Sequence, residues 1–468
     1  MRFGLFYEHQ LPRPWEEKSE LQLIQDALDQ IELADKLGFT NVWEVEHHFL
    51  EEYSHSSAPE VFLAAASQRT TKMRLGHGIV LTAPGYNHPA RIAERIAMLD
   101  LVSKGRVEFG SGESGSLAEL GGFNLAPALK REMWREGLET ALRCMTEVPF
   151  GGVDGKYVKM PPRNVVPKPV QKPHPPVWVA CSRRETILLA AECGIGALTF
   201  SFIDPEEAVH WVGDYRKTLA EKCVPIGNAI NPEISCVTPM MCHQDEREAI
   251  LRGLEGGNFF GYSLGHYYVF GDHKPGVSNV WEEFTNKRAE RGYSPDVAIA
   301  MRQRRLSARL DNDKGDQQGL RGAVGTPDQL REYFRLFENA GVDQMIFVMQ
   351  AGKNRHEHIM ESIELFGKEV LPEFAERDGA IRAKKMKELE PIIEMVMKRK
   401  RYDAPKMPED YLIEALPKRL IQQYGGKEML DKLEGDSAIG IPRPQNLQER
   451  LQQGIVGQRG PNGGEGAK

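Results

Sequence analysis

From its first residues the chain alternates short apolar runs with amphipathic stretches of helical period. That rhythm restricts it to a parallel sheet covered by helices. The apolar runs are Phe3 to Tyr7, Val42 to Glu46, Met73 to Leu81, Arg106 to Ser111, Val177 to Ala180, Ala197 to Phe200, Ile234 to Met241 and Asp343 to Met349. Helical patterns follow at Leu21 to Leu37, Pro59 to Gln68, Pro89 to Val102, Ala128 to Thr146 and Ile359 to Val370. Eight such strands predict a (β/α)8 TIM barrel with insertions. An open doubly wound sheet is the runner-up.

Three stretches depart from the rhythm. Residues 151–158 carry Gly151-Gly152 and Asp154-Gly155 and read as an inserted hairpin. Residues 251–322 hold Phe259, Phe260, Tyr262, His266, Tyr267, Tyr268, Phe270 and Trp281 among glycines, without regular period. An aromatic insertion between barrel elements reads either as a lid or as a packed excursion. The barrel is expected over residues 1–376, with 377–468 as a charged extension, helical at first and Gly-rich and disordered at its end. Such a helix suits assembly.

Composition narrows the function classes. The 468 residues carry a net charge of −7, which leaves no overall basic footprint for nucleic acid. No apolar run approaches the roughly 18 residues of a membrane helix, and the N-terminus lacks a signal-peptide layout. Six cysteines form no CxxC pair and read as free thiols in a reducing, cytoplasmic setting.

The chemistry concentrates at strand ends. Glu46-His47-His48-Phe49 closes the second strand. Neighbouring strand side chains point to opposite faces, so one imidazole can enter a pocket while the other packs beside it. Histidine trades protons near neutral pH; a purely structural pair is the alternative. Gly110-Ser111-Gly112-Glu113-Ser114-Gly115 spells GxGxxG but sits in the fourth unit, and Leu117 to Pro127 does not open a clean helix, so it is not read as a dinucleotide site. Ser182-Arg183-Arg184-Glu185-Thr186 opens the helix after the fifth strand, where free N–H groups and arginine suit a phosphate; an ordinary Ser N-cap is the alternative. Thr326-Pro327 reads as an N-cap with Pro at N1. His356-Glu357-His358 reads as a solvated helix start, and no metal site is expected.

Taken in order, these residues resemble the bacterial luciferase-like flavin monooxygenase family. The likeness rests on Phe3-Gly4-x-Phe6, Glu46-His47-His48-Phe49, Gly76-His77-Gly78-Ile79-Val80-Leu81, His88-Pro89-Ala90-Arg91, Leu99-Asp100-x-x-Ser103-Lys104-Gly105-Arg106, Ser182 to Gly194, and Gly325-Thr326-Pro327 to about Pro372. The 251–322 insertion and the tail are not covered.

The resemblance implies reduced FMN at the strand C-termini. His47 and His48 would be catalytic, His47 foremost. Phe6, His77, Gly78, Gly112, Ala180, Ser182, Arg183 and Thr186 would contact the cofactor. It further implies oxygenation of a small organic substrate by way of a flavin hydroperoxide. A separate NAD(P)H:flavin reductase would supply the flavin, and the protein would be a homodimer. Alternatives of the same fold are an F420-dependent hydride-transfer oxidoreductase and a non-catalytic flavin binder. One departure concerns the phosphate. The family's reactive cysteine and phosphate-contacting arginine after the fourth strand are here Gly112 and Glu113. Glu113 must turn away, or Arg183 and Arg184 must supply the charge.

Overall fold

Each of the eight apolar runs forms a strand, because each is buried on both faces, as parallel strands are. The computed structural model describes residues 1–199, 203–290, 296–297, 299–300, 322–400 and 404–414. Strands β1 (Arg2–Tyr7), β2 (Asn41–Val45), β3 (Arg74–Leu81) and β4 (Val107–Gly112) are joined by helices α1 (Ser19–Leu37), α2 (Pro59–Arg69) and α3 (Pro89–Val102). After β4 come α4 (Leu117–Gly122), α5 (Lys130–Thr146) and the antiparallel hairpin β5 (Val153–Asp154) and β6 (Lys159–Met160). The second half holds β7 (Val177–Cys181), α6 (Arg184–Cys193), β8 (Gly196–Thr199), α7 (Pro205–Lys222), β9 (Ile234–Cys242), α8 (Glu246–Gly265) and α9 (Val280–Glu290). It ends with β10 (Ala323–Gly325), α10 (Pro327–Ala340), β11 (Gln344–Val348), α11 (His356–Glu369) and α12 (Leu371–Met397).

Parallel pairing runs β1-β2-β3-β4-β7-β8-β9-β11 and returns to β1, so the sheet closes. The closed ring decides for the barrel over the open sheet. Phe3, Leu5 and Val42 face the helices, while Phe6, Trp43, Val45, Trp178, Leu198, Val237, Ile346 and Val348 fill the interior. Trp43 and Trp178 meet edge to face at 5.3 Å. Their indole N–H groups donate to Gln344 and Glu108, so neither polar edge is stranded inside.

Local signals set the ends of helices. Gly38 (φ 96°) stops α1 in the left-handed region that glycine enters without strain. Thr326 caps α10 in a capping box with Gln329, with Pro327 at N1, as expected. One expectation fails: Leu117 does open a helix, because the Ser116 hydroxyl accepts the N–H of Ala118.

The insertion is more regular than its sequence pattern indicates. It continues α8 into a π-helical turn, His266–Phe270, and then forms α9; residues 291–295, 298 and 301–321 lie outside the described residues. The boundary expected at residue 376 falls inside α12, and the first compact unit runs from Met1 to Lys406. Lys385 of α12 reaches Asp343, just before β11, at 2.6 Å, and Arg382 joins Arg2 on Glu233, just before β9. The helix therefore covers the N-terminal end of the barrel, opposite the site described below. In the second unit, residues 407–414 contain one turn, closed by Tyr411 N–H to Pro408 O.

The GxGxxG stretch has a packing explanation. Glu44 pairs with His77 and Val45 with Ile79, so Gly78 is an extra residue that bulges β3. A Cβ on Gly110 would overlap the carbonyl oxygen of His77, and one on Gly112 would overlap Ile79. The glycines of β4 let the bulged strand press against it. We predict that Gly110→Ala costs about 1–3 kcal/mol, as overpacking does. Gly121→Ala, on α4 with nothing within 4 Å, should be neutral or stabilising. Urea denaturation of both variants checks the contrast.

Candidate active site

The C-terminal ends of β1 and β2 bring together a buried ionic triad. Glu8 follows β1 and His47 follows β2, and both turn inward above Phe6 and Val45. Glu119 comes from α4, behind the glycine stretch. His47 Nδ1 lies 2.9 Å from Glu119 Oε1, and its Nε2 lies 3.5 Å from Glu8 Oε2. Glu119 also accepts the backbone N–H of His48 (3.0 Å) and the Ser114 hydroxyl (2.5 Å). Glu8 accepts the Tyr53 hydroxyl at 2.9 Å. Glu8 and Glu119 are buried, and His47 is 9% exposed.

Burial alone would push the His47 ring down. Glu8 and Glu119 outweigh it and lift the ring to about 9, so it is an imidazolium at neutral pH. Burial raises Glu8 to about 7, against the pull of His47 and Tyr53. Burial works the same way on Glu119, but His47 and the two hydrogen bonds hold it below the carboxylate range. The triad is thus a proton donor clamped between two acceptors.

The two adjacent histidines do face apart. The His48 ring lies 3.3 Å from Glu46 and packs on Phe123 at 4.9 Å. Glu46 in turn takes the N–H of Leu81 and the amide of Asn87, which ties β2 to the end of β3. His48 therefore braces the loop that carries His47.

Aromatic rings close over the triad. Tyr53 packs on Phe260 of α8 at 5.6 Å, and Tyr268 of the π-helical turn sits 6.4 Å from the His47 ring. Phe6 belongs to the same cluster. The segment is strapped down beside the histidines. Glu51 accepts from His273 (3.0 Å) and Gly276 N–H (2.7 Å), and Glu52 accepts from Val280 and Trp281 N–H at the start of α9.

The other sequence candidates separate. Ala180 and Ser182 lie at the end of β7, where α6 begins. Thr186 is engaged locally, donating to Arg183 O at 2.6 Å. Arg183 is largely exposed, with Glu185 at 4.0 Å, and Arg184 is taken by Asp214. Glu113 turns to Arg131 of α5 at 2.8 Å, which resolves the expected repulsion. Arg131 also feels Glu185 and Cys181, so its charge lies across from the start of α6. Arg131 and Arg183 give this corner two exposed guanidinium groups, which fits a phosphate dianion. His77 is buried at the bulge of β3. Burial pushes its ring down to about 4, against the pull of Glu60 and Glu46 and with the push of Arg95. Gly78 and Gly112 sit where strand meets strand, so packing already explains both.

Sequence reasoning missed Glu8, Tyr53, Arg131 and Glu119, whereas Tyr268 was named with the aromatic insertion. Glu8 had a signal, an acid directly after a strand. The others pair only through the fold.

The model of the family described as luciferase-like monooxygenase matches residues 1–344. The chain belongs to that family. It is an oxidoreductase that incorporates oxygen. An uncharacterized protein of Sinorhizobium fredii is 35% identical over 172 residues, 36% of the chain, and the match spans about half (48%) of that relative. The oxygenase component of a flavin-dependent trigonelline monooxygenase from Acinetobacter baylyi is 24% identical over 80% of this chain and 96% of its own. Among solved structures, a monooxygenase from Streptomyces bottropensis is 26% identical, with TM-score 0.61 over 80% of this chain and 100% of its own. An F420-dependent secondary alcohol dehydrogenase shares the fold at TM-score 0.57 and 16% identity, over 79% of this chain and 98% of its own. Among the described residues no helix is long and apolar enough to cross a membrane.

The triad makes a linkage prediction. A raised histidine stabilises the fold fully below about pH 6.5 and loses that contribution as pH rises through about 9. Glu119→Gln should therefore cost more than about 1 kcal/mol at pH 7, one pKa unit's worth, and clearly less at pH 10. Urea titrations at both values check it; an equal cost at both contradicts the pairing.

Proposed function

We propose that the chain is the oxygenase component of a two-component flavin monooxygenase. It would take reduced FMN from a separate NAD(P)H:flavin reductase and use O2 to oxygenate a small organic substrate. The observation that carries this reading is the buried His47 cation at a barrel mouth closed by aromatic rings. Reduced FMN, when bound, supplies the electrons that activate oxygen.

The chain's own residues have three tasks in this reading. The first is to seat the phosphate. The start of α6 with Ser182, Arg183 and Thr186 serves it, and Arg131 joins when it leaves Glu113. The second is proton control. His47 Nε2 donates a proton to developing negative charge at the mouth, and Glu8, raised toward neutrality, is placed to return one. The structure favours the donor role over the acceptor role, because the ring is already charged. The third is exclusion of water, for which Phe260, Tyr267 and Tyr268 form the cover, the lid of this proposal. His48 would position His47 rather than touch the reacting atoms.

The setting belongs to the proposal as well. Six free, buried cysteines suit the reducing cytoplasm. A homodimer would cover Val61 of α2 with Met98 and Leu101 of α3, all exposed apolar side chains.

The test is binding followed by oxygen. Anaerobic titration should show reduced FMN bound, and reduced F420 bound far less. Oxygen admitted to the complex should then oxidise the flavin more slowly than it does free in solution. Loss of one charge-assisted phosphate contact costs about 1.5–3 kcal/mol, roughly ten- to over a hundredfold. Arg131→Ala and Arg183→Ala should each weaken FMN by that factor and leave riboflavin, which has no phosphate, unchanged. Equal losses for both ligands, or preferential binding of F420, would refute the assignment.

A further inference from the structure

The charges at the mouth do not balance. Glu8 and Glu119, when ionised, place two negative charges against the single positive charge of His47. The surrounding charges are already committed. Glu44 pairs with the buried His9 at 2.9 Å, and Glu46 holds His48, Asn87 and the Leu81 N–H. Lys130, the nearest lysine on α5, gives its ammonium to the carbonyl of Ser114 at 2.6 Å. One carboxylate oxygen, Glu8 Oε2, is buried and accepts no hydrogen bond, with only the His47 ring nitrogen near it at 3.5 Å.

The walls around that oxygen are aromatic. Tyr53 donates its hydroxyl to the other oxygen of Glu8, which aims the carboxylate. Tyr267 and Tyr268 lie 6.4 and 6.3 Å from Tyr53, ring centre to ring centre, and both are half-buried rather than sealed. The Tyr267 hydroxyl also lacks a partner. Ring faces carry negative electrostatic potential and attract cations, most strongly where water is excluded. An anion brought here would meet two carboxylates and several ring faces against the single positive charge of His47, in a medium that screens poorly.

We propose that this mouth selects a small organic cation, an alkylated or aromatic ammonium-type group held on Glu8 Oε2 beside the edge-to-face rings of Tyr53 and Tyr268, and discriminates against carboxylates. The inference rests on the reading that the triad's mouth is where substrate binds, and it names the substrate's charge. Such a cation would complete the charge balance that His47 leaves open. It would do so without displacing His47, which stays on Glu119.

Proton linkage follows from the groups facing Glu8, which are His47, His9, Glu44, Tyr53, Tyr268 and Ser54. In the ligand-free protein Glu8 gives up its proton near pH 7, while His47 keeps its own to about 9. Cation affinity should therefore rise between pH 6 and pH 8, as Glu8 ionises.

The experiment uses the full chain and three probes of nearly equal shape: N-methylpyridinium, neutral toluene and anionic benzoate. Calorimetry or fluorescence titration reads affinity at pH 6 and pH 8, with FMN affinity measured in parallel. N-methylpyridinium should bind about tenfold or more tightly than either other probe at pH 8, and lose most of that advantage at pH 6. Glu8→Gln should erase the advantage while FMN affinity stays as in the parent. Tyr268→Leu, at a half-buried position, should weaken the cation more than toluene. Benzoate binding as well as the cation would overturn the proposal, as would an advantage that persists in both variants. Failure of FMN to bind the parent, with the cation preference intact, would sink the flavin reading and leave this one standing.

Discussion

Holding an imidazolium between two carboxylates inside a barrel is the interaction on which the mouth of this protein is built. Buried charges are costly unless paired, and each member of the triad is on a different element. Glu8 comes from the end of β1, His47 from the end of β2 and Glu119 from α4. Closing the sheet sets the first two side by side. The helix that carries Glu119 exists because Ser116 caps it. The backbone of His48 and the hydroxyls of Ser114 and Tyr53 then satisfy most of the remaining lone pairs. The ionic site and the local folding of three loops are one construction.

The same loops anchor the cover. Glu51 and Glu52, four and five residues beyond His47, bind the segment that leads from the π-helical turn into α9. Any movement of Tyr267 and Tyr268 is therefore coupled to the loop that holds the catalytic candidate. The opposite end of the barrel is held separately, by Lys385, Arg382 and Arg2 on Asp343 and Glu233. Stability is concentrated at one end and chemistry at the other, the usual division in barrels.

Much of this was legible in the sequence. The eight strands were, because buried parallel strands leave continuous apolar runs that turns and helices interrupt. His47 was, because a histidine pair at a strand end must send one ring each way, and the structure does send His47 inward and His48 against Phe123. That a helix opens after β7 was legible too, although its N-cap is Arg183 and not Ser182. The bulge that the extra residue Gly78 puts into β3 beside His77 was not legible, because it shows only in the pairing with β2. The glycines after β4 resembled a nucleotide turn but serve a close strand contact. Glu119 and Arg131 were silent, since their meaning comes from partners 72 and 18 positions away. The regularity of the aromatic insertion was hidden by its glycines.

His47 is a fixed cation at the mouth, doubly protonated at neutral pH. Nitrogen NMR of the His47 ring in the full-length protein at pH 7 tests it directly. Two protonated ring nitrogens are expected, with deprotonation setting in only as pH approaches about 9. A neutral ring at pH 7, with one nitrogen bare, would contradict it and remove the proton donor from the proposed chemistry.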